Sequence, residues 1–174
     1  MRLVSAALLL CAIGLAQPQP DTGAYIERGK IELGFSGNVT VPHSNPGSTS
    51  GSLQVGAGYY ISRSSLLGAE IGITGASAGQ SYALAAHYRY LFSTRNPKLF
   101  PFIGASPGLG IAHGFQFDGT YTRFTLRGEA GLKCFVARNV SVEAAYNLHY
   151  VHSISEPPAS GSSSALVFGL AFTF

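Results

Sequence analysis

The sequence predicts an all-β chain: an eight-stranded antiparallel up-and-down transmembrane β-barrel, with short turns at one end and longer loops at the other. Three observations lead there. From Lys30 onward apolar residues recur at every second place in segment after segment, the pattern of strands with one greasy and one polar face. The chain stops inside such a segment, Ser164 to Phe174 (SALVFGLAFTF), which carries no charge. As an open edge in water that strand would invite aggregation, whereas a closed barrel pairs it with the first strand. Finally, charged residues make up only 11% of the 174 and Gly contributes 22, yet no apolar run of helix-spanning length follows the first 16 residues. Alternating strands raise the mean hydropathy in just this way, without any single apolar block.

The first 16 residues read as something else. Met1 and Arg2 give a short positive start, Leu3 to Leu15 an apolar core, and Gly14, Leu15 and Ala16 a small-x-small cleavage site. Met1 to Ala16 is therefore expected to be a secretory signal removed before Gln17. A lipoprotein reading would modify Cys11, but Leu8, Leu9 and Leu10 precede it where a small residue is wanted. Residues 17–29, with Pro18 and Pro20, form a short polar lead, expected as a periplasmic tail, and residues 30–174 the barrel.

Within the barrel each strand is justified by its alternation. The first sets Ile31, Leu33, Phe35, Val39 and Val41 against Glu32, Gly34, Ser36, Asn38 and Thr40; the second, Ser52 to Ile61, shows Leu53, Val55, Ala57, Tyr59 and Ile61 on its apolar face. The third, Ser65 to Thr74, directs Leu67, Ala69, Ile71 and Ile73 outward and Glu70 inward; the fourth, Ser81 to Phe92, opposes Tyr82, Leu84, Tyr88 and Tyr90 to His87 and Arg89. In the fifth, Phe100 to Ile111, Pro107 cannot donate to a ladder, so a bulge or distortion is expected there. The sixth, Tyr121 to Phe135, places Phe124, Leu126, Leu132 and Cys134 outward and Arg127, Glu129, Lys133 and Phe135 inward. The seventh, from Val140, alternates Val142, Tyr146, Leu148 and Tyr150 with Glu143, Asn147 and His149, and the eighth closes the chain.

Connections alternate in length. Pro42 to Gly51, Gly75 to Gln80, Ala112 to Thr120 and Ser153 to Ser163 are long, while Ser62 to Ser64, Ser93 to Lys98 and Ala137 to Asn139 are short. Membrane barrels show this asymmetry, which would put both termini in the periplasm and the long loops outside. Tyr59, Tyr90, Phe92, Phe172 and Phe174 would then form a periplasmic girdle, and Tyr82, Phe124 and Tyr150 an outer one.

An apolar outer wall leaves the other face for the lumen, and that face holds Glu32, Glu70, His87, Arg89, Arg127, Glu129, Lys133, Glu143 and His149. Eight strands enclose a space just wide enough for side chains to fill. Charges of both signs there are expected to pair and plug the lumen, since each would cost several kcal/mol unpaired. A proton path, a solute path or a gate is the functional alternative to this structural cluster.

Other classes are disfavoured. Removing Arg2 with the signal leaves ten basic against eight acidic residues, a balance of +2, and the basic residues are scattered, so no nucleic-acid partner is expected. One thiol remains, Cys134, expected to be a small apolar side chain on the lipid face, which excludes a disulfide framework. His87, His149 and His152 are dispersed and His43 and His113 fall in loops, so neither metal nor cofactor is expected.

Over Lys30 to Phe174 the chain resembles the small eight-stranded outer-membrane β-barrels, the OmpX, Ail and OmpA N-terminal-domain type. The resemblance rests on the strand count, on PFIGASPGLG at Pro101 to Gly110, and on the terminal aromatic with apolar residues two and four places earlier. Leu170, Phe172 and Phe174 sit at the places the barrel insertion machinery reads in that family. The resemblance implies a porin-like outer-membrane protein in contact with lipid and lipopolysaccharide but says almost nothing of its work, since such barrels serve as adhesins, envelope tethers, weak channels and enzymes. The expectation is a non-enzymatic protein with a structural or surface-interaction role through its four long loops. Three alternatives remain beside it. A lipid A deacylase-like barrel would need a His-x-Ser pair late in the penultimate strand, but His149 is followed two places on by Val151 and His152 by Ile154. The neighbouring Ser153, Ser155 and Glu156 do not restore the pattern. A small pore would need a wider lumen, and a soluble lipocalin-like carrier would turn its apolar face inward.

Overall fold

The computed structural model describes residues 25–40, 50–76, 79–114, 119–154 and 160–174. The expected signal, residues 17–24 of the lead and the middles of the four expected loops lie outside the described residues. Eight strands follow in order: β1 (Ile31–Thr40), β2 (Ser50–Tyr60), β3 (Ser65–Ala76), β4 (Gly79–Leu91), β5 (Leu99–Gly114), β6 (Gly119–Ala137), β7 (Val140–Ser153) and β8 (Ser160–Thr173). Each pairs antiparallel with the next, and β8 returns to β1 to close the barrel. No edge strand is left at the closure, where Phe174 N–H donates to the Ile31 carbonyl and Ile31 N–H to that of Phe174.

Closure fixes which face is which. Leu33, Phe35, Val55, Ile71, Leu84, Ile103, Leu109, Leu132, Leu148, Leu166 and Leu170 all stand exposed around the wall. A continuous apolar band of that extent is rare on a water-soluble monomer and suits a lipid solvent. The residues between them turn inward, and there Glu32, Arg89, Arg127, Glu129 and Lys133 are buried. This polarity is the reverse of a lipocalin-like cup.

The strands run further towards the long connections than hydrophobic alternation indicates. β8 begins at Ser160 rather than Ser164, and β5 and β6 extend to Gly114 and from Gly119. Backbone pairing needs no apolar side chains, so Ser- and Gly-rich segments continue the ladder past the apolar band. The wall is uneven in height as a result: β6 has 19 residues and β1 has 10. Pairing of β1 with β8 runs from Glu32↔Thr173 to Gly37↔Phe168, whereas the ladder of β8 with β7 continues from Val140↔Phe172 up to His152↔Ser160.

One local expectation is narrowed and one corrected. Of the bulge or distortion expected at Pro107 only the distortion is present: β5 keeps one register with β6 throughout, and its ladder with β4 is interrupted between Ala85↔Gly108 and Tyr88↔Ala105 with the same register on both sides. The missing proline N–H costs ladder contacts but inserts no residue. The register shift among the described strands falls instead between Phe135 and Ala137, beside the tight β6–β7 turn. Cys134, expected on the lipid face, is buried. It lies in register between Leu99 and Val142, and directly opposed side chains on a sheet stand close enough for two larger neighbours to cover a small thiol.

At the end of the barrel that carries the short turns, the lead does more than trail. Ile26 is buried with Tyr60, Leu66, Leu91, Phe102 and Phe135, and Tyr25 packs on Phe135 with ring centroids 4.9 Å apart. Gly29 takes a left-handed φ of 95° and its N–H donates to the Tyr60 carbonyl, turning the chain from this apolar stopper into β1. The turn end of the lumen is therefore capped by hydrophobic side chains.

Candidate functional site

The lumen is the place where this chain concentrates its chemistry, and it is built by period-two geometry. On β6, Arg127, Glu129, Lys133 and Phe135 share one face, and the register sets Arg127 against Ser106 and His149, Glu129 against Gly104 and Asn147, and Lys133 against Glu143. Gly104 is a glycine for a spatial reason: a Cβ there would come within 2.6 Å of Glu129 Oε1.

Just above the apolar stopper lies a compact tier. Lys133 is fully buried and donates to Glu32 and, at 2.9 Å, to Glu143 Oε1. Arg89 bridges Glu143 and Glu129 at 2.8 Å each and stacks 4.0 Å from the Phe102 ring centroid. Tyr60 donates its hydroxyl to Glu32. Glu129 then connects this tier to a second one, standing 3.6 Å from Arg127 and 3.7 Å from His87. There Arg127 donates to Glu70 and Gln54 at 2.5 Å each and to Ser106 at 3.1 Å, while His87 Nδ1 lies 3.1 Å from Ser106 Oγ and 3.3 Å from Glu70.

Eight residues singled out in the sequence, Glu32, Glu70, His87, Arg89, Arg127, Glu129, Lys133 and Glu143, thus lie in one connected network. His149 points to the same lumen but lines a cavity nearer the long connections. Leu170, Phe172 and Phe174 are elsewhere, on the outer wall at the turn end, where the Phe35 and Phe172 rings meet edge to face at 6.3 Å. Sequence reading turned Ser106 inward without giving it a role, and passed over Tyr60, Gln54, Phe102 and Arg123. All keep the inward parity of their strands, so following each alternation on both faces and to its ends would have found them.

The arrangement can neutralise charge and fill space. Among the described residues two small cavities of mixed polarity, of about 70 and 90 Å³, lie on either side of the Arg127–Glu70–Gln54 contact. Such volumes hold a few water-sized groups each. Among the described residues no group of three or more His, Cys, Asp or Glu side chains is placed to hold a metal ion. His152 is exposed on the face opposite to His149 of the same strand, so these two do not converge on one reaction centre. Ser155 and Glu156 lie outside the described residues.

The model of the outer membrane protein beta-barrel domain matches residues 3–174, nearly the whole sequence. The chain belongs to that family. Solved structures of similar shape include the neisserial surface protein A, with 21% identity and a TM-score of 0.69 over 84% of this chain and 97% of that one. The N-terminal β-barrel domain of OprF from Pseudomonas aeruginosa matches at 17% identity and a TM-score of 0.62, covering 84% and 98%. Outer membrane protein H from the same organism gives 15% and 0.55, covering 84% and 99%. At these identities the likeness concerns the fold. No curated protein matches the chain in sequence. Membership makes the apolar band the lipid-facing wall of an outer-membrane protein.

Proposed function

We propose that this family member is a non-enzymatic outer-membrane barrel whose lumen is plugged by paired charges and which acts structurally or by surface interaction through its long connections. The observation that carries the reading is the tier of Lys133, Glu32, Glu143 and Arg89 seated on the Ile26–Phe135 stopper, buried paired charges that fit a plugged lumen. Its partners would be membrane lipid and lipopolysaccharide on the wall, the insertion machinery at Leu170, Phe172 and Phe174 during assembly, and a surface ligand at the loops. Both termini would face the periplasm, and Met1 to Ala16 would be cleaved as a signal.

The test is conductance across a planar lipid bilayer, using protein taken from the outer-membrane fraction and shown to shift on a gel when boiled. A sealed bilayer is the expected result. A steady conductance by the folded protein would overturn the plug and favour the small-pore reading, and a mass shift in lipid A on expression would overturn the non-enzymatic one. Intact mass of the purified chain checks the cleavage before Gln17.

A further inference from the structure

Above the charge network the lumen changes character. Arg123 stands on β6 four residues before Arg127, on the same inward face, between Gly110 and Ser153 in register. Its side chain lies against Gly110, where an added Cβ would come within 3.3 Å of Nε. That Nε is buried and has no hydrogen-bond partner, and no carboxylate forms an ion pair with this guanidinium among the described residues. The group borders the cavity of about 90 Å³ together with Thr74, Ser81, Thr125 and His149, whose hydroxyls and ring nitrogens can all meet an oxygen ligand. The acid at the cavity floor, Glu70, is already held by Arg127 and His87.

A half-buried guanidinium whose Nε is desolvated, and which forms no ion pair among the described residues, has a donor open to an anion. The space is right for one: about 90 Å³ accommodates roughly half a dozen water-sized groups, and a tetrahedral oxyanion has five heavy atoms. A planar fork of N–H donors also favours an oxyanion over a spherical halide, because it can engage two oxygens at once.

We propose that the loop-end half of the lumen is a binding site for a small tetrahedral oxyanion of the phosphate or sulfate type, held by Arg123 with help from the hydroxyls of Thr74, Ser81 and Thr125. The site goes beyond the plugged-barrel reading and does not depend on it, since binding and conductance are separate readouts. The oxyanion could be a free ion or the phosphate of a lipopolysaccharide headgroup, which presents the same chemistry.

The test is titration of inorganic phosphate, with chloride as control, into the folded full-length mature protein in nanodiscs of phosphate-free lipid, read by calorimetry. Saturable phosphate binding without chloride binding is expected. Arg123→Gln should weaken it about tenfold or more, the worth of a charge-assisted contact. Thr125→Glu, which places a carboxylate two residues from Arg123 on the same face, should abolish it while leaving Arg123 in place. Retained heat-modifiable mobility of both variants ensures that binding is read on folded barrels. Loss of free phosphate binding in discs containing lipopolysaccharide would assign the ligand to the headgroup, and its persistence there would assign it to a free ion. No saturable binding by the unaltered protein, or equal binding by Arg123→Gln, would overturn the site.

Discussion

At the turn end of the lumen, Lys133 is fully buried yet touches two carboxylates, and Arg89 bridges two. At the loop end, Arg123 carries the same charge against hydroxyls, a histidine and open space. The two regions are continuous strands of one barrel, so the contrast comes from side chains and not from backbone. What it teaches is that an eight-stranded lumen need not be uniform: among the described residues the cations of the lower half are paired with carboxylates, while Arg123 in the upper half forms no ion pair.

The sharpest way to break that contrast is Lys133→Met. It leaves Glu32 and Glu143 buried against fewer cations, and stranding a buried charge in this way costs about 3–5 kcal/mol. Urea unfolding of the protein in lipid vesicles should show a loss of that size. A loss under about 1 kcal/mol would mean the tier is hydrated and the two halves are alike.

The outer wall supplies the control, since it should not distinguish the halves. Leu84 is 61% exposed in the middle of β4, so Leu84→Arg should destabilise by about 2–4 kcal/mol, the cost of a cation near the bilayer midplane. The same unfolding assay in vesicles reads it, and a neutral result would contradict the lipid-facing assignment. Smaller again is Tyr60→Phe, which removes only the hydroxyl donated to Glu32; a hydrogen bond to a charged group is worth about 1.5–3 kcal/mol, and Lys133 remains to hold the carboxylate. The expected loss lies at the lower end of that range in the same assay.

These predictions rest on features that were unequally visible in the sequence. Strand number, order and the inward set from Glu32 to Glu143 follow from period-two alternation, because every slip of one residue would turn charge into lipid. Which charge meets which does not follow: Lys133 and Glu32 are 101 residues apart, and their contact depends on how the closed barrel staggers its strands. Tyr25 and Ile26 were hidden for a different reason, since a short apolar pair in a polar lead has no period to read, and their burial depends on the open mouth beside Phe135. Pro107 was legible as a distortion but not as to its kind, because a missing N–H removes hydrogen bonds without requiring an extra residue.

The smallest expected effect is the most discriminating. Arg123→Gln removes a cation that forms no ion pair among the described residues, so folding loses no ion pair while a buried donor without a partner, Nε, disappears. Stability in phosphate-free buffer should stay within about 0.5 kcal/mol of the unaltered protein or rise slightly, as for a substitution that breaks no specific interaction. Set beside Lys133→Met, the same chemical operation, deleting one inward cation, then gives opposite outcomes at the two ends of one lumen. Adding phosphate should stabilise the unaltered protein and leave the variant where it was, because only a folded state with a site gains from ligand. If Arg123→Gln instead unfolded as readily as Lys133→Met, the guanidinium would be part of the structural network and the upper half would be a second plug.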